Sequence, residues 1–223
     1  LGQSKDWNTA NHTRISKKLK SIGIFGGSFN PIHNGHIQLA KHILRLSALD
    51  EIWFMVSPQN PLKPQGSLLD DHLRLNMAQV ALQDEPRLIA KDDEFRLSKP
   101  SYTWHTLQCL SNEYPDTSFT LIIGADNWHV FNQWAHYQEI QQKYEIIIYP
   151  RQHTAIDTAS LPSNVHLVDT PLYNISSTEV RQRIQQGKSV DLLIPSAIVP
   201  LATRYYPHPW AYIGLEKHCM KGV

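Results

Sequence analysis

From Ser21 onward the chain alternates short apolar runs with longer stretches of helical periodicity, and that alternation restricts the fold more than any other feature. Candidate strands fall at 21–25, 51–56, 87–90, 119–123, 145–149 and 165–168. Candidate helices fall between them at 36–47, 70–83, 102–113 and 133–142, then at 177–186 and 196–204. In the first helix Ile37, Leu39, Ala40, Ile43, Leu44 and Leu46 form an apolar face at helical spacing. Residues 70–83 do the same with Leu73, Leu75, Met77, Val80 and Ala81, behind Asp70 or Asp71 as a cap. Strands separated by helices pair in parallel through right-handed crossovers. The expected fold is therefore α/β: a Rossmann-like, doubly wound, mostly parallel sheet with helices on both faces. If the strands are ordered 3-2-1-4-5, the first and fourth are neighbours where the winding reverses, and a ligand crevice opens there.

Composition fits one packed layer of this kind. Of 223 residues, 41% are hydrophobic and 18% charged, the proportions of a core-forming chain. The expected organisation is a flexible basic N-terminal arm at 1–20, one domain at 21–204 and a C-terminal tail at 205–223. The longest apolar run, Ile52-Trp53-Phe54-Met55-Val56, is far shorter than the roughly 18 residues of a membrane span, so no membrane association is expected. Cys109 and Cys219 are too few for a disulfide framework, which points to a reducing, cytoplasmic setting. The net charge of +1 divides into +4 on residues 1–20, +2 on 204–223 and −5 on the body between them. A body that tracks a phosphate backbone carries a basic stripe. This one is acidic, so no nucleic-acid partner is expected and an anionic ligand must be held by local geometry.

The stretch from Gly23 to His36, directly after the first strand, concentrates the chemistry. It reads Gly-Ile-Phe-Gly-Gly-Ser-Phe-Asn-Pro-Ile-His-Asn-Gly-His. It lacks the spacing of a dinucleotide fingerprint, and Gly187-Lys188-Ser189 lacks the glycine that a P-loop requires, position 182 being Gln. Gly26 and Gly27 remove side chains where the backbone leaves the strand, so amide N–H groups can approach a phosphate. His33 and His36 lie three residues apart at a helix start, where both rings can face one ligand and the helix dipole favours negative charge. Far downstream, Ser176 and Glu179 have the spacing of a capping box, and Ser177 and Arg181 share one helix face.

The first stretch resembles the H-x-G-H signature of the nucleotidyltransferase superfamily in the form G-G-S-F-(N/D)-P-x-H-x-G-H. Residues 175–181 resemble the same superfamily's I-S-S-T-x-(I/V)-R motif. With Pro58 to Lys63, Pro100 to Leu107 and Ile122 to Asn127, the pattern is similar to the bacterial nicotinate-nucleotide adenylyltransferases over residues 22–204. That resemblance implies adenylyl transfer from ATP to nicotinate mononucleotide, giving deamido-NAD and pyrophosphate with Mg²⁺. It implies His33, His36 and Arg181 as the catalytic set. Gly26, Gly27, Ser28 and Phe29, with Gly124, Asp126, Ser176 and Ser177, would contact ATP. Lys63, Tyr102, Thr103 and Trp134 would contact the mononucleotide. No protein-held metal is implied, and a homo-oligomer stays open.

Two features depart from the family pattern. Position 30 is Asn where many relatives have Asp, and residues 57–63 lack the fuller P-P-H-K form. The alternatives are a sister enzyme, such as a phosphopantetheine adenylyltransferase or a cytidylyltransferase, and a non-catalytic nucleotide-binding module. The first would keep both phosphate motifs but not the P-S-Y-T and Trp134 segments.

Overall fold

The computed structural model describes residues 19–58, 68–99 and 101–206. The elements run β1 (Lys20–Gly27), α1 (Asn34–Leu46), β2 (Glu51–Val56), α2 (Asp71–Leu82) and β3 (Leu88–Lys91). A 3-10 turn at Asp93–Arg96 leads to α3 (Thr103–Glu113), β4 (Thr117–Gly124) and the short α4 (Ala125–His129). After a second such turn at Phe131–Gln133 come α5 (Tyr137–Lys143), β5 (Glu145–Tyr149) and β6 (Val165–Leu167), then α6 (Ser177–Gln185) and α7 (Val199–Tyr205). The six strands pair in parallel in the order β3-β2-β1-β4-β5-β6.

Both faces of the sheet are covered, which explains why its strands are apolar almost without interruption. Side chains alternate between two cores. Phe25, Phe54, Ile122 and Ile147 face α1, α2 and α6, packing with Ile43, Met77 and Val180. Ile24, Trp53, Leu121 and Ile148 face α3 and α5, packing with Leu107, Leu110 and Ile140. Gly23, in the middle of β1, is a close-approach position: a Cβ there would stand 2.6 Å from Ile122 Cδ1 and 2.8 Å from Leu49 Cδ1.

The structure differs from the sequence expectation in three places. The helix expected at 133–142 starts at Tyr137, because Phe131 packs against the Trp128 and Trp134 rings in a tight turn and His136 takes a left-handed conformation (φ 59°). Residues 125–129, outside the expected helices, form α4. The packed layer also runs past 204, since α7 continues to Tyr205 and Tyr206 is buried.

Candidate active site

The loop from β1 to α1 is held from behind. Arg74, on α2 and fully buried, donates to the carbonyls of Ser28, Ser57 (3.0 Å) and Leu69 (2.8 Å). From α6, Ser177 Oγ donates to Pro31 O (2.8 Å) and Arg181 Nη1 to Asn30 O (2.7 Å). The Tyr206 hydroxyl donates to Asn30 Oδ1 (2.6 Å), which also accepts from Leu69 N (3.2 Å). Within the loop these bonds end on oxygens, so none of them draws its N–H groups inward. Phe29 sits at φ 42°, a strained region for a bulky residue, and stays there because its ring is packed against Phe54 (5.3 Å) and His36 (5.1 Å).

His33, the last residue of the loop, is the N-cap of α1, and His36 is the third residue of that helix. The two cap each other. His33 Nδ1 accepts from His36 N (3.3 Å) and His36 Nδ1 accepts from His33 N (3.2 Å). Their rings stack with centroids 3.5 Å apart. An accepting Nδ1 carries no proton, so the neutral tautomer that fits this network carries it on Nε2 in both rings. Burial, with the Arg151 charge as second cause, lowers the His33 pKa to about 4. His33 is therefore neutral at neutral pH and acts as a hydrogen-bond donor, not as a cation.

On the β4 side of the switch point a cavity of about 400 Å³ opens against Gly26, Gly27, Thr103 and Trp134. The N-terminus of α3 faces it. Tyr102 is the N-cap but its side chain makes no capping bond, so it leaves the first-turn N–H groups to other acceptors. Trp134 Nε1 is buried, has no hydrogen-bond partner among the described residues, and belongs to the same wall. Tyr149, at the end of β5, lines both this cavity and the recess over His33 and His36.

Arg151 lines that recess too, and the adjoining groove with Asp126 and Ser176. Its Nε lies 3.5 Å from Asp126 Oδ1 and its Nη2 donates to the Tyr149 hydroxyl (3.1 Å). The pair closes over Gly124, where a Cβ would stand 3.0 Å from Arg151 Nε. Ser176 caps α6 by accepting from Glu179 N (3.1 Å). The structure thus brings Gly26, Gly27, His33, His36, Gly124, Asp126, Thr103, Trp134 and Ser176 around three neighbouring hollows that share Tyr149 and Arg151 as walls. It places the Ser177 and Arg181 side chains on the loop carbonyls. Lys63 lies outside the described residues. Arg151 was missed by sequence reasoning, although an arginine just beyond the carboxyl end of a strand beside the switch point is a usable signal.

A family profile described as cytidylyltransferase-like matches residues 24–183. A Bacteroides fragilis protein named "Probable nicotinate-nucleotide adenylyltransferase" is 45% identical over 190 residues, covering 85% of this chain and 88% of that one. The chain belongs to the nicotinate-nucleotide adenylyltransferase family. A Flavobacterium johnsoniae protein of the same name is 39% identical over 86% of this chain and 95% of its own length. Among solved structures, Plasmodium falciparum nicotinic acid mononucleotide adenylyltransferase complexed with NaAD superposes with a TM-score of 0.67 at 24% identity. It covers 89% of this chain and 98% of its own, and it shares the fold. As a member of this family the chain is a nucleotidyltransferase, with its glycine loop, histidine pair and α6 motif all inside the matched span. Among the described residues no helix is long and apolar enough to cross a membrane.

Proposed function

We propose that this nucleotidyltransferase moves the adenylyl group of ATP onto nicotinate mononucleotide, giving deamido-NAD and pyrophosphate. The observation that carries the reading is the placing of two different hollows on either side of Tyr149, beside one switch point. A cavity of about 400 Å³, with a helix N-terminus and an indole in its wall, shares the Tyr149 side chain as a wall with a recess lined by two histidines and an arginine. The cavity suits a small aromatic acid; the recess, about 30 Å³, admits phosphate oxygens singly, and the groove of about 790 Å³ along Asp126, Arg151 and Ser176 has the room for the rest of a polyphosphate.

In this reading a phosphate oxygen of the mononucleotide attacks the α-phosphorus of ATP as the bond to the β-phosphate's bridging oxygen breaks. The nucleophile is already an anion at neutral pH, its second pKa being about 6, so no general base is required. Catalysis is then alignment and charge compensation. His33 and His36 donate from Nε2 to phosphate oxygens, and Arg151 adds positive charge over the same recess. Arg181, Ser177 and Ser176 act on the pyrophosphate side, the first two largely by holding residues 30 and 31 in place. Gly26, Gly27, Ser28 and Phe29 meet ATP through backbone, and Gly124 and Asp126 border its adenosine. Thr103 and Tyr102, at the start of α3, offer N–H groups to the nicotinate carboxylate while Trp134 stacks on the ring. Lys63 would add charge near the phosphates.

The divalent cation such enzymes use we take to be Mg²⁺, carried by the triphosphate. The donor set here is rich in nitrogen, and among the described residues no three His, Cys, Asp or Glu side chains converge to cage an ion. Bound to the phosphates, the cation would offset their charge. The test is a substrate panel read by chromatography of products. ATP with nicotinate mononucleotide should yield deamido-NAD and pyrophosphate. Turnover only of CTP, or only of phosphopantetheine, would overturn the assignment.

A further inference from the structure

The wall of the cavity contains a buried acid that the proposed chemistry does not use. Glu94, in the 3-10 turn at Asp93–Arg96, is only 7% exposed and faces the cavity. Its Oε2 accepts from Ser101 Oγ (3.0 Å), its Oε1 accepts from Thr106 Oγ1 (3.1 Å), and the Ser57 side chain also bonds to it. Ser101 and Thr106 are themselves buried. They stand at the position before the cap of α3 and at its fourth residue. Many helices join those two positions by an apolar contact that fixes the angle at which the chain enters. Here one carboxylate joins them. It also reaches Ser57, whose N–H donates to Gly27 O (2.9 Å) at the start of the phosphate loop.

A buried carboxylate is an expensive fastener where apolar packing would serve. Among the described residues no charged side chain offsets it: burial pushes its pKa up, and the three hydroxyls oppose that shift. What the carboxylate supplies and an apolar contact cannot is direction: each hydroxyl is held at a set angle, and so is the uncapped turn of α3 between them. We propose that Glu94 is a positioning residue that aims the first N–H groups of α3 at the substrate ring's acid group, and thereby sets the preference for nicotinate over nicotinamide mononucleotide. This rests on the reading of the cavity as the nicotinate site. Thr103 and Tyr102 supply the donors; Glu94 fixes where they point. An amide needs one acceptor in place of a donor, so a precise donor arrangement rejects it and a loosened one does not.

The experiment compares Glu94→Ala, Glu94→Gln and the unsubstituted chain with ATP and each mononucleotide, on protein whose thermal unfolding shows it folded. Glu94→Ala should lower the ratio of kcat/KM for nicotinate over nicotinamide mononucleotide at least tenfold. The change should lie mainly in the KM for the nicotinate substrate, with KM for ATP within about threefold. Glu94→Gln keeps one acceptor oxygen and should recover part of the ratio. A folded Glu94→Ala variant with an unchanged ratio, or one in which both KM values rise together, would overturn the proposal. If Glu94→Ala does not fold, Ser101→Ala and Thr106→Val each remove one donor to the carboxylate and are judged by the same ratio. An unsubstituted chain that makes no deamido-NAD overturns the functional reading and this inference with it, whereas an active chain with an insensitive ratio overturns the inference alone.

Discussion

Replacing Arg74 with Met removes the buried cation that holds the phosphate loop, the exit of β2 and the approach to α2 together. The side chain is 0% exposed and donates to the carbonyls of Ser28, Ser57 and Leu69, with a longer contact to Pro58 O (3.4 Å). Methionine fills most of the same volume, so the cavity left behind is small. The loss is then that of three well-made bonds to buried carbonyls, at about 1–3 kcal/mol for each acceptor left unpaired. Against this stands relief from burying a charge, a cost visible in the lowered pKa of Arg74, for which desolvation is the first cause. A net loss of about 3 kcal/mol follows, which for a chain of this size lowers Tm by roughly 6–12 °C. Differential scanning fluorimetry and urea titration measure it. Arg74→Lys, which can keep one or two of the bonds, should fall between. KM for ATP should rise in both variants, because the carbonyl of Ser28 is no longer pinned. A change in Tm below about 2 °C, or a gain, would show that the loop does not depend on this cation and would refute the reasoning.

Three further outcomes are expected. His36→Ala should lower kcat about 10²-fold, as for removal of a transition-state donor, with KM for ATP changed only a few-fold; the reverse split in steady-state kinetics would make its role ground-state binding. His33 links stability to pH: its pKa falls from 6.5 unfolded to about 4 folded, so the unfolded chain binds the extra proton. The contribution is complete above pH 6.5 and is lost as pH falls toward 4, by up to about 3 kcal/mol, and His33→Gln should flatten that slope in urea titrations at stepped pH. Trp134→Ala should weaken both mononucleotides by a similar factor, since a stacked ring does not sense carboxylate against amide; loss of selectivity alone would contradict that role.

Much of this molecule was legible in one dimension because the relevant physics is local. The six strand segments and the helices expected at 36–47, 70–83 and 102–113 are legible in the sequence pattern, and all agree with the structure to within a few residues. The adjacency of β1 and β4 is the one that the doubly wound order 3-2-1-4-5 requires. The glycine pair, His33, His36 and the Ser176 cap stand out because each marks a local backbone event, a strand exit or a helix start.

What the tertiary structure decided lies in pairings between residues distant in sequence. Arg74 and Glu94 look like surface charges in the sequence, one on an amphipathic helix and one in the run Asp92-Asp93-Glu94; both are buried, because carbonyls from residues 28, 57 and 69 surround the first and hydroxyls from 57, 101 and 106 the second. The family resemblance implies that Arg181 and Ser177 contact ATP, and the structure sets their polar ends on Asn30 O and Pro31 O. The break between α4 and α5 depends on three aromatic rings closing around Phe131, a contact that no window of periodicity contains. Hydrophobic pattern determines which faces turn inward, since burying them is the same gain wherever the partner lies. The partner of a buried charge is chosen by whichever backbone oxygens or hydroxyls the completed fold brings within about 3 Å, and that distance exists only once the sheet has closed.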